Sequence, residues 1–219
     1  MEEEHHHHLV FENSYVKAFF VEIPAHESTL YHRHDLPYVN LPPGGADAVS
    51  LPPGSGAQQG VRGPKASFSP GGFSHAVNNS GDTPLRNVAI ELLRPQGTIR
   101  NRCIMVVRDQ AMELCHAPIL SVAIPWHHSP LFETDEILVE SWELAPNVTT
   151  KPWHDRLDML VGGLTGVSIT ADSGLDSASA LKGGPLWIPA GSKPVFKTGP
   201  DSGGHFVVIT FKDGKPPRH

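Results

Sequence analysis

The chain has 219 residues and a formal net charge of −6, and Gly and Pro number 21 each. An acidic chain without a basic run is a poor partner for nucleic acid, and no apolar stretch approaches the roughly 18 residues of a membrane helix. We therefore expect neither nucleic-acid binding nor membrane insertion. The length allows one large domain or two small ones, and the many Gly and Pro residues favour short strands joined by turns.

The first element in chain order is the histidine-rich stretch MEEEHHHHLVFEN at residues 1–13. It is either an engineered remnant or a native tail, and in both cases we expect residues 1–9 to form a flexible, solvated tail. Four adjacent imidazoles could also chelate metal during purification. We therefore place neither the fold nor the functional site in this tail.

Residues 30–38, LYHRHDLPY, place two histidines two positions apart in a segment that looks extended. Side chains at positions i and i+2 of a strand point to the same face, with Cα atoms about 7 Å apart. His32 and His34 could therefore converge on one ion. An isolated pair of this kind is more often two ordinary histidines, so the rest of the chain has to decide.

A third histidine follows a sharp turn in the stretch FSPGGFSHAVNN. Pro fixes φ and Gly tolerates positive φ, so Pro70 and Gly72 turn the chain and start a strand at a defined place. His75 would then lie at the beginning of this strand. From there it could face His32 and His34 across a barrel.

The chain also repeats itself at a long period. Pro24 pairs with Pro146 and His32 with His154, both at an offset of 122, and later segments pair at an offset of 119. Order and spacing are preserved, so we expect two homologous β-domains in tandem. The paired segments are 16–39 with 138–161, 68–75 with 186–194, and 87–92 with 206–211.

Two cysteines, Cys103 and Cys115, lie between the two halves, in a segment that we predict to be a linker of residues 98–121. A disulfide between them would close a loop of about a dozen residues and stabilise the fold by ~3 kcal/mol on the chain-entropy estimate. It would also favour an oxidising, extracytoplasmic compartment, either periplasmic or secreted. The alternative is two separate reduced thiols.

The two histidine motifs resemble those of the cupin superfamily, over about residues 10–97 and 122–212. The resemblance implies an all-β chain of two tandem cupin-type jelly-roll β-barrels, a bicupin. The N-terminal, metal-binding barrel would span residues 10–97 and the C-terminal barrel residues 122–219. The matching residues are His32 and His34 in the HxH motif, and Pro70, Gly72, His75 and Asn79 in the PxG-x2-H-x3-N motif.

The resemblance implies one divalent transition metal ion on His32, His34 and His75. Fe(II) is the expected ion for activity, and Zn, Ni, Cu or Mn are alternatives, because the ligand set does not choose the metal by itself. The usual glutamate four positions after the second histidine is replaced by Tyr38. Its phenol titrates near 10 and makes a poor ligand, although it could donate a hydrogen bond to a bound substrate or water.

Further residues are candidates for the surroundings of this centre. Phe68 and Phe73 could shape the apolar part of a ligand pocket. His26 stands where the first motif usually begins with glycine, and it is a weaker candidate for contact with the metal.

The second copy departs much further from the motifs. His154 remains, but Arg156 stands for His34 and Pro194 for His75. One imidazole beside a guanidinium cannot hold a dication, so we predict that the second barrel binds no metal. It is either structural or holds an anion or small ligand with Arg156.

The leading hypothesis is a metal-binding bicupin that acts as a small-molecule dioxygenase. The alternatives are a non-catalytic module that binds a small ligand or a metal, and a cupin isomerase or lyase, because fold similarity does not decide among these functions. The expected partner is a small-molecule ligand. Two barrels in one chain would allow either a monomer or a homodimer.

Overall fold

The computed structural model describes residues 4–41, 48–51, 59–61, 66–101, 104–107, 110–113, 124–153, 156–170 and 184–212. These residues form nineteen strands. None of them belongs to a helix long and apolar enough to cross a membrane. The chain divides into two compact units, one of residues 1–95 with 107–109 and one of 96–106 with 110–219.

The first unit contains two antiparallel sheets. Its strands are β1 (His7–Glu12), β2 (Val16–Ile23), β3 (His32–His34), β4 (Tyr38–Leu41), β5 (Ala48–Leu51), β6 (Gln59–Val61), β7 (Ser67–Ser69), β8 (Phe73–Asn79) and β9 (Leu85–Leu92). The five-stranded sheet has the order β1-β2-β9-β4-β7, and the four-stranded sheet has the order β3-β8-β5-β6. The histidines of both motifs therefore lie in one sheet, on the neighbouring strands β3 and β8.

The core of the first unit lies between these two sheets. Alternate residues of β2 are buried because successive side chains of a strand point to opposite faces, and Val21 and Ile23 join Leu85 and Ala89 of β9 in one apolar cluster. Val77, from β8 of the other sheet, packs against this cluster. The two sheets thus form a sandwich, with one face of β8 turned towards its interior.

The second unit repeats this arrangement. The remaining strands are β10 (Arg100–Asn101), β11 (Ile104–Val107), β12 (Gln110–Glu113), β13 (Trp126–Glu133), β14 (Ile137–Leu144), β15 (Met159–Thr165), β16 (Val167–Thr170), β17 (Leu186–Ile188), β18 (Val195–Thr198) and β19 (Gly204–Phe211). The large sheet has the order β10-β13-β14-β19-β15-β17, and smaller sheets pair β16 with β18 and β11 with β12. The order β14-β19-β15-β17 matches β2-β9-β4-β7 of the first unit. The all-β, tandem architecture predicted from the sequence is confirmed.

Equivalent hydrogen bonds confirm the repeat and correct its alignment by one residue. Asn79 Nδ2 donates to the carbonyl of Pro24 at 3.0 Å, and Thr198 Oγ1 donates to that of Ala145 at 2.8 Å. The turn that follows has a positive φ at His26 (61°) and at Asn147 (59°). The structural offset in this region is therefore 121, whereas the pairing of the two prolines gave 122.

The N-terminal segment differs from the predicted flexible tail of residues 1–9. β1 begins at His7 and pairs with β2, and two of the residues before it are buried, with Glu4 2% and His6 6% exposed. The Glu4 carboxylate accepts hydrogen bonds from the backbone N–H groups of His6 (2.9 Å) and Leu30 (3.1 Å). These bonds fix the segment to the barrel, and the run of histidines alone gave no sign of them.

The predicted linker of residues 98–121 also contains regular structure, because β10, β11 and β12 lie within it. Arg100 pairs with Glu133 in the large sheet of the second unit. Cys103, Cys115 and the disulfide predicted between them lie outside the described residues, so the disulfide and the compartment inferred from it stay predictions.

Candidate metal centre

Two neighbouring strands bring the three motif histidines together. On β3, His32 and His34 are 9% and 3% exposed, and Arg33 between them points outward to solvent. His75 lies directly opposite His32 in the antiparallel pair of β3 and β8, and Phe73 lies opposite His34. The same-face geometry predicted for the HxH segment is what the structure shows.

The glycine pair before β8 sets the register of this strand. Gly71 and Gly72 have φ values of 73° and 77°, in the left-handed region that favours glycine. The N–H of Gly72 donates to the carbonyl of His34 at 2.6 Å, which ties the turn to β3. A Cβ atom on Gly71 would lie 2.3 Å from the carbonyl oxygen of Leu36, so this close approach excludes any side chain. The turn therefore delivers His75 to its place beside β3.

The ring nitrogens of the three histidines converge. His34 Nε2 lies 3.1 Å from His32 Nε2 and 3.0 Å from His75 Nε2. The potential ligand atoms of the three residues all lie within 4.8 Å of one another. With metal–nitrogen distances of about 2.1 Å, two nitrogens at right angles around an ion are about 3.0 Å apart. The spacing therefore fits a metal ion held by the three nitrogens.

Hydrogen bonding alone does not account for these contacts. His32 Nδ1 lies 2.9 Å from the carbonyl oxygen of Leu30 and donates to it, so the neutral ring carries a lone pair on Nε2. His34 Nε2 bears either one proton or one lone pair. If Nε2 of His32 and of His75 both present lone pairs, a protonated His34 Nε2 can donate to one of them only, and an unprotonated one can donate to neither. A cation at the convergence point would turn all three lone pairs into ligands, so the donor set fits a metal ion.

Burial keeps these imidazoles neutral, which is the state that binds metal. Burial, with smaller contributions from the neighbouring His75 and His32, lowers the pKa of His34 to about 2. Burial likewise lowers the pKa of His75 to about 4, and it lowers the pKa of His32. At neutral pH the site therefore presents lone pairs rather than positive charges.

Aromatic rings enclose one side of the centre. Tyr38 stacks on the His34 ring with centroids 4.5 Å apart, and Phe73 stacks on His34 at 5.5 Å and meets His75 edge-on at 5.2 Å. Burial raises the pKa of Tyr38, so its phenol stays protonated. Phe68, on β7, is 5% exposed and forms part of the core.

The structure places the two weaker candidates away from the cluster. His26 occupies the turn after β2, where its side chain is 65% exposed and its Nε2 lies 3.1 Å from an Asp82 oxygen. Its positive φ explains why glycine is usual at this position. Arg156 is exposed.

In the second unit, the corrected alignment puts Trp153 rather than His154 in the place of His32. The backbone N–H of Trp153 donates to the carbonyl of Pro194 at 3.0 Å, and Pro194 is the equivalent of His75. His154 itself lies outside the described residues. Among the described positions of the second unit, the ligand places of the first unit are thus held by residues without a metal-binding group.

Apolar packing fills the corresponding region of the second unit. Trp153 and Trp142 pack against a buried cluster that includes Phe196 and Phe206. The two phenylalanine rings are stacked at 4.4 Å, and the two tryptophan rings lie 4.6 Å apart. This arrangement favours the structural role predicted for the second barrel.

Sequence reasoning missed two residues at the first centre. The His7 side chain is 5% exposed, and its ring lies 4.8 Å from that of His32 and 6.5 Å from that of His34. Its Nδ1 lies 2.7 Å from an oxygen of the buried Glu4. The only available signal was that the histidine run leads directly into the strand-like segment LVFE.

Comparisons with known proteins agree with this fold. The chain is similar to the solved structure of AerE from Microcystis aeruginosa, at 8% identity and a TM-score of 0.60 over 94% of this chain and 97% of that one. It is also similar to a variant of salicylate 1,2-dioxygenase from Pseudoaminobacter salicylatoxidans, at 11% identity and a TM-score of 0.59 over 90% and 71%. A structure of that enzyme with adducts of gentisate gives 0.58, at 11% identity over 90% and 68%.

These likenesses, with the two sandwich units and the histidine cluster, define the protein as one with the cupin fold. At these identities the likeness concerns the fold alone. No protein-family model matches the chain, and no curated protein sequence does.

Proposed function

We propose that the first unit binds one divalent transition metal ion through His32, His34 and His75, and that the protein is a metal-dependent dioxygenase of a small molecule. The observation that carries the metal site is the convergence of three ring nitrogens, two pairs of which are 3.0–3.1 Å apart. Three neutral ligands leave the full charge of the ion to act on a bound substrate.

Fe(II) is the ion that we propose for activity. A divalent ion held by imidazoles supplies a Lewis acid, and Fe(II) in addition supplies electrons for chemistry with O₂. The support for an oxygenase over an isomerase or lyase comes from the fold neighbours, which include structures of a salicylate 1,2-dioxygenase.

The residues around the cluster suit a small aromatic acid. Tyr38 and Phe73 offer ring faces beside His34, and the Tyr38 phenol keeps its proton because burial raises its pKa. A neutral phenol can donate a hydrogen bond to a carboxylate or hydroxyl oxygen of the substrate. The rings would exclude water from that side of the site.

Metal content tests the first half of the proposal. The reference protein carries His5→Ala and His8→Ala, which remove exposed imidazoles of the N-terminal tract. Purified without oxygen, it should contain one divalent ion per chain by elemental mass spectrometry. His75→Ala in this background should reduce the content to below about a tenth, and the control His26→Ala should leave it unchanged. Equal metal content in both variants would contradict the proposed site, provided that circular dichroism shows both to be folded.

Oxygen consumption tests the second half. The Fe(II)-loaded reference protein is placed in an oxygen electrode with gentisate, salicylate, catechols, diketones and thiols in turn. Consumption that His75→Ala abolishes supports a dioxygenase. Stoichiometric metal and saturable ligand binding without oxygen uptake would instead favour a binding module, an isomerase or a lyase.

A further inference from the structure

The N-terminal segment brings a fourth histidine to the metal centre. β1 pairs with β2 so that His7 lies opposite Val21, and the His7 side chain turns inward and is 5% exposed. His8, the next residue, is exposed to solvent. This alternation is expected of a strand with one buried face, so only one of the two adjacent imidazoles reaches the site.

A buried carboxylate fixes the His7 ring. His7 Nδ1 donates to Glu4 Oε2 at 2.7 Å, and Glu4, which is 2% exposed, is itself held by the backbone N–H of Leu30. The carbonyl of the same Leu30 accepts the hydrogen bond from His32 Nδ1. The Glu4 carboxylate therefore binds Nδ1 of His7 and leaves Nε2 available for another partner. Hydrogen bonds through Glu4 and the Leu30 backbone connect the His7 ring to that of His32.

The ring-centroid spacings resemble those of imidazoles around one ion, although the nitrogens that already converge are those of His32, His34 and His75. With a metal–nitrogen distance of about 2.1 Å, an imidazole centroid lies about 3.2 Å from the ion, so rings on adjacent octahedral positions are about 4.6 Å apart and rings on opposite positions about 6.5 Å. The rings of His32, His34 and His75 are 4.8–4.9 Å from one another. The His7 ring is 4.8 Å from that of His32 and 6.5 Å from that of His34.

We propose that His7 would serve as a fourth nitrogen ligand of an ion held by His32, His34 and His75, and that Glu4 is the positioning residue that orients its ring. This inference rests on the proposed metal site. The nitrogens that already converge are those of His32, His34 and His75, so coordination through His7 requires its ring to shift inward when the ion binds.

The proposal also accounts for the ligand that the first motif lacks. Tyr38 stands where a carboxylate ligand is usual, and its neutral phenol is a poor replacement. A histidine supplied by β1 restores four protein ligands with no negative charge in direct contact with the ion. The carboxylate of Glu4 would not contact the ion itself, but through its hydrogen bond to Nδ1 it makes the His7 imidazole more basic.

Cobalt(II) binding tests this inference, because its visible spectrum responds to the number and kind of ligands. Wild-type protein, His7→Ala and His8→Ala are each titrated with Co(II) after chelator treatment. His7→Ala should bind about 10–100-fold more weakly than wild type and show a changed spectrum. His8→Ala, which removes the exposed neighbour on the same strand, should bind as wild type. Glu4→Gln should weaken binding less than His7→Ala does.

Chemical rescue separates a ligand from a residue that only supports the fold. Free imidazole added to Co(II)-loaded His7→Ala should restore the wild-type spectrum if the missing side chain was a ligand. Wild-type affinity and spectrum in His7→Ala, or weakened binding that imidazole does not restore, would overturn the inference. Absence of Co(II) binding in the wild-type protein would instead overturn the proposed metal site, so the two failures are distinguishable.

Discussion

Acidification of the metal-free protein should destabilise the first unit, because its buried histidines resist protonation. The pKa of His7 and that of His75 are about 4, and that of His34 is about 2, against about 6.5 for an exposed imidazole. The unfolded chain therefore takes up protons first as the pH falls. Stability is full above pH 6.5 and is lost progressively below it.

The size of this effect follows from the shifts. At 1.36 kcal/mol per unit, the 1.5 units between pH 6.5 and pH 5 remove about 2 kcal/mol for each histidine whose folded-state pKa lies below 5. Three such residues give about 6 kcal/mol in total, which is comparable with the whole stability of a small domain. Bound metal should oppose the loss, since it occupies the same lone pairs that protons need.

Urea unfolding at pH 8 and pH 5 measures this loss. All four tryptophans of the chain lie in the second unit, so tryptophan fluorescence follows that unit, while far-ultraviolet circular dichroism follows both. The transition seen only by circular dichroism should move to much lower urea at pH 5. His75→Gln, which does not titrate, should shrink the shift by about a third. A midpoint for the first unit that is the same at both pH values would show that these histidines do not link its stability to pH.

Three further substitutions have defined outcomes. Asn79→Ala removes hydrogen bonds to three backbone carbonyls and should lower the free energy of unfolding in urea by about 1–3 kcal/mol. The amide of Asn78 donates to an exposed serine, so Asn78→Ala should lower it by under about 0.5 kcal/mol. Equal losses in the two variants would contradict the assigned bonds. Gly71→Ala should lower the free energy of unfolding more than Gly72→Ala does. Both glycines have a positive φ, but only at Gly71 would an added Cβ collide with a backbone carbonyl. A larger loss in Gly72→Ala would show that the turn is misplaced. Tyr38→Phe should keep one metal ion per chain and lower kcat/KM for an aromatic acid about tenfold through the lost hydrogen bond, which steady-state oxygen uptake would check.

The motif residues were predictable because local rules fix their positions. Alternation along a strand places His32 and His34 on one face, and a Pro-Gly turn with positive φ fixes the start of β8 and so the place of His75. The presence of two similar β-units in tandem followed from the repeat. These parts of the fold depend on spacing along the chain, which the sequence displays directly.

The N-terminal contribution was not predictable from such rules. Whether β1 pairs with β2 in the register that buries His7 and exposes His8 depends on tertiary contacts, chiefly the burial of Glu4 against the Leu30 backbone. A run of histidines has no periodicity that would distinguish its inward from its outward members. The one-residue error that paired His154 with His32 has a similar origin, because backbone hydrogen bonds rather than residue identity define equivalent positions.

Anomalous X-ray scattering from crystals of the Fe(II)- or Co(II)-loaded protein would locate the bound ion. We expect one strong peak per chain, about 2.1 Å from Nε2 of His32, His34 and His75. A principal peak on the exposed histidines of the N-terminal tract, or in the second unit, would contradict the proposed site.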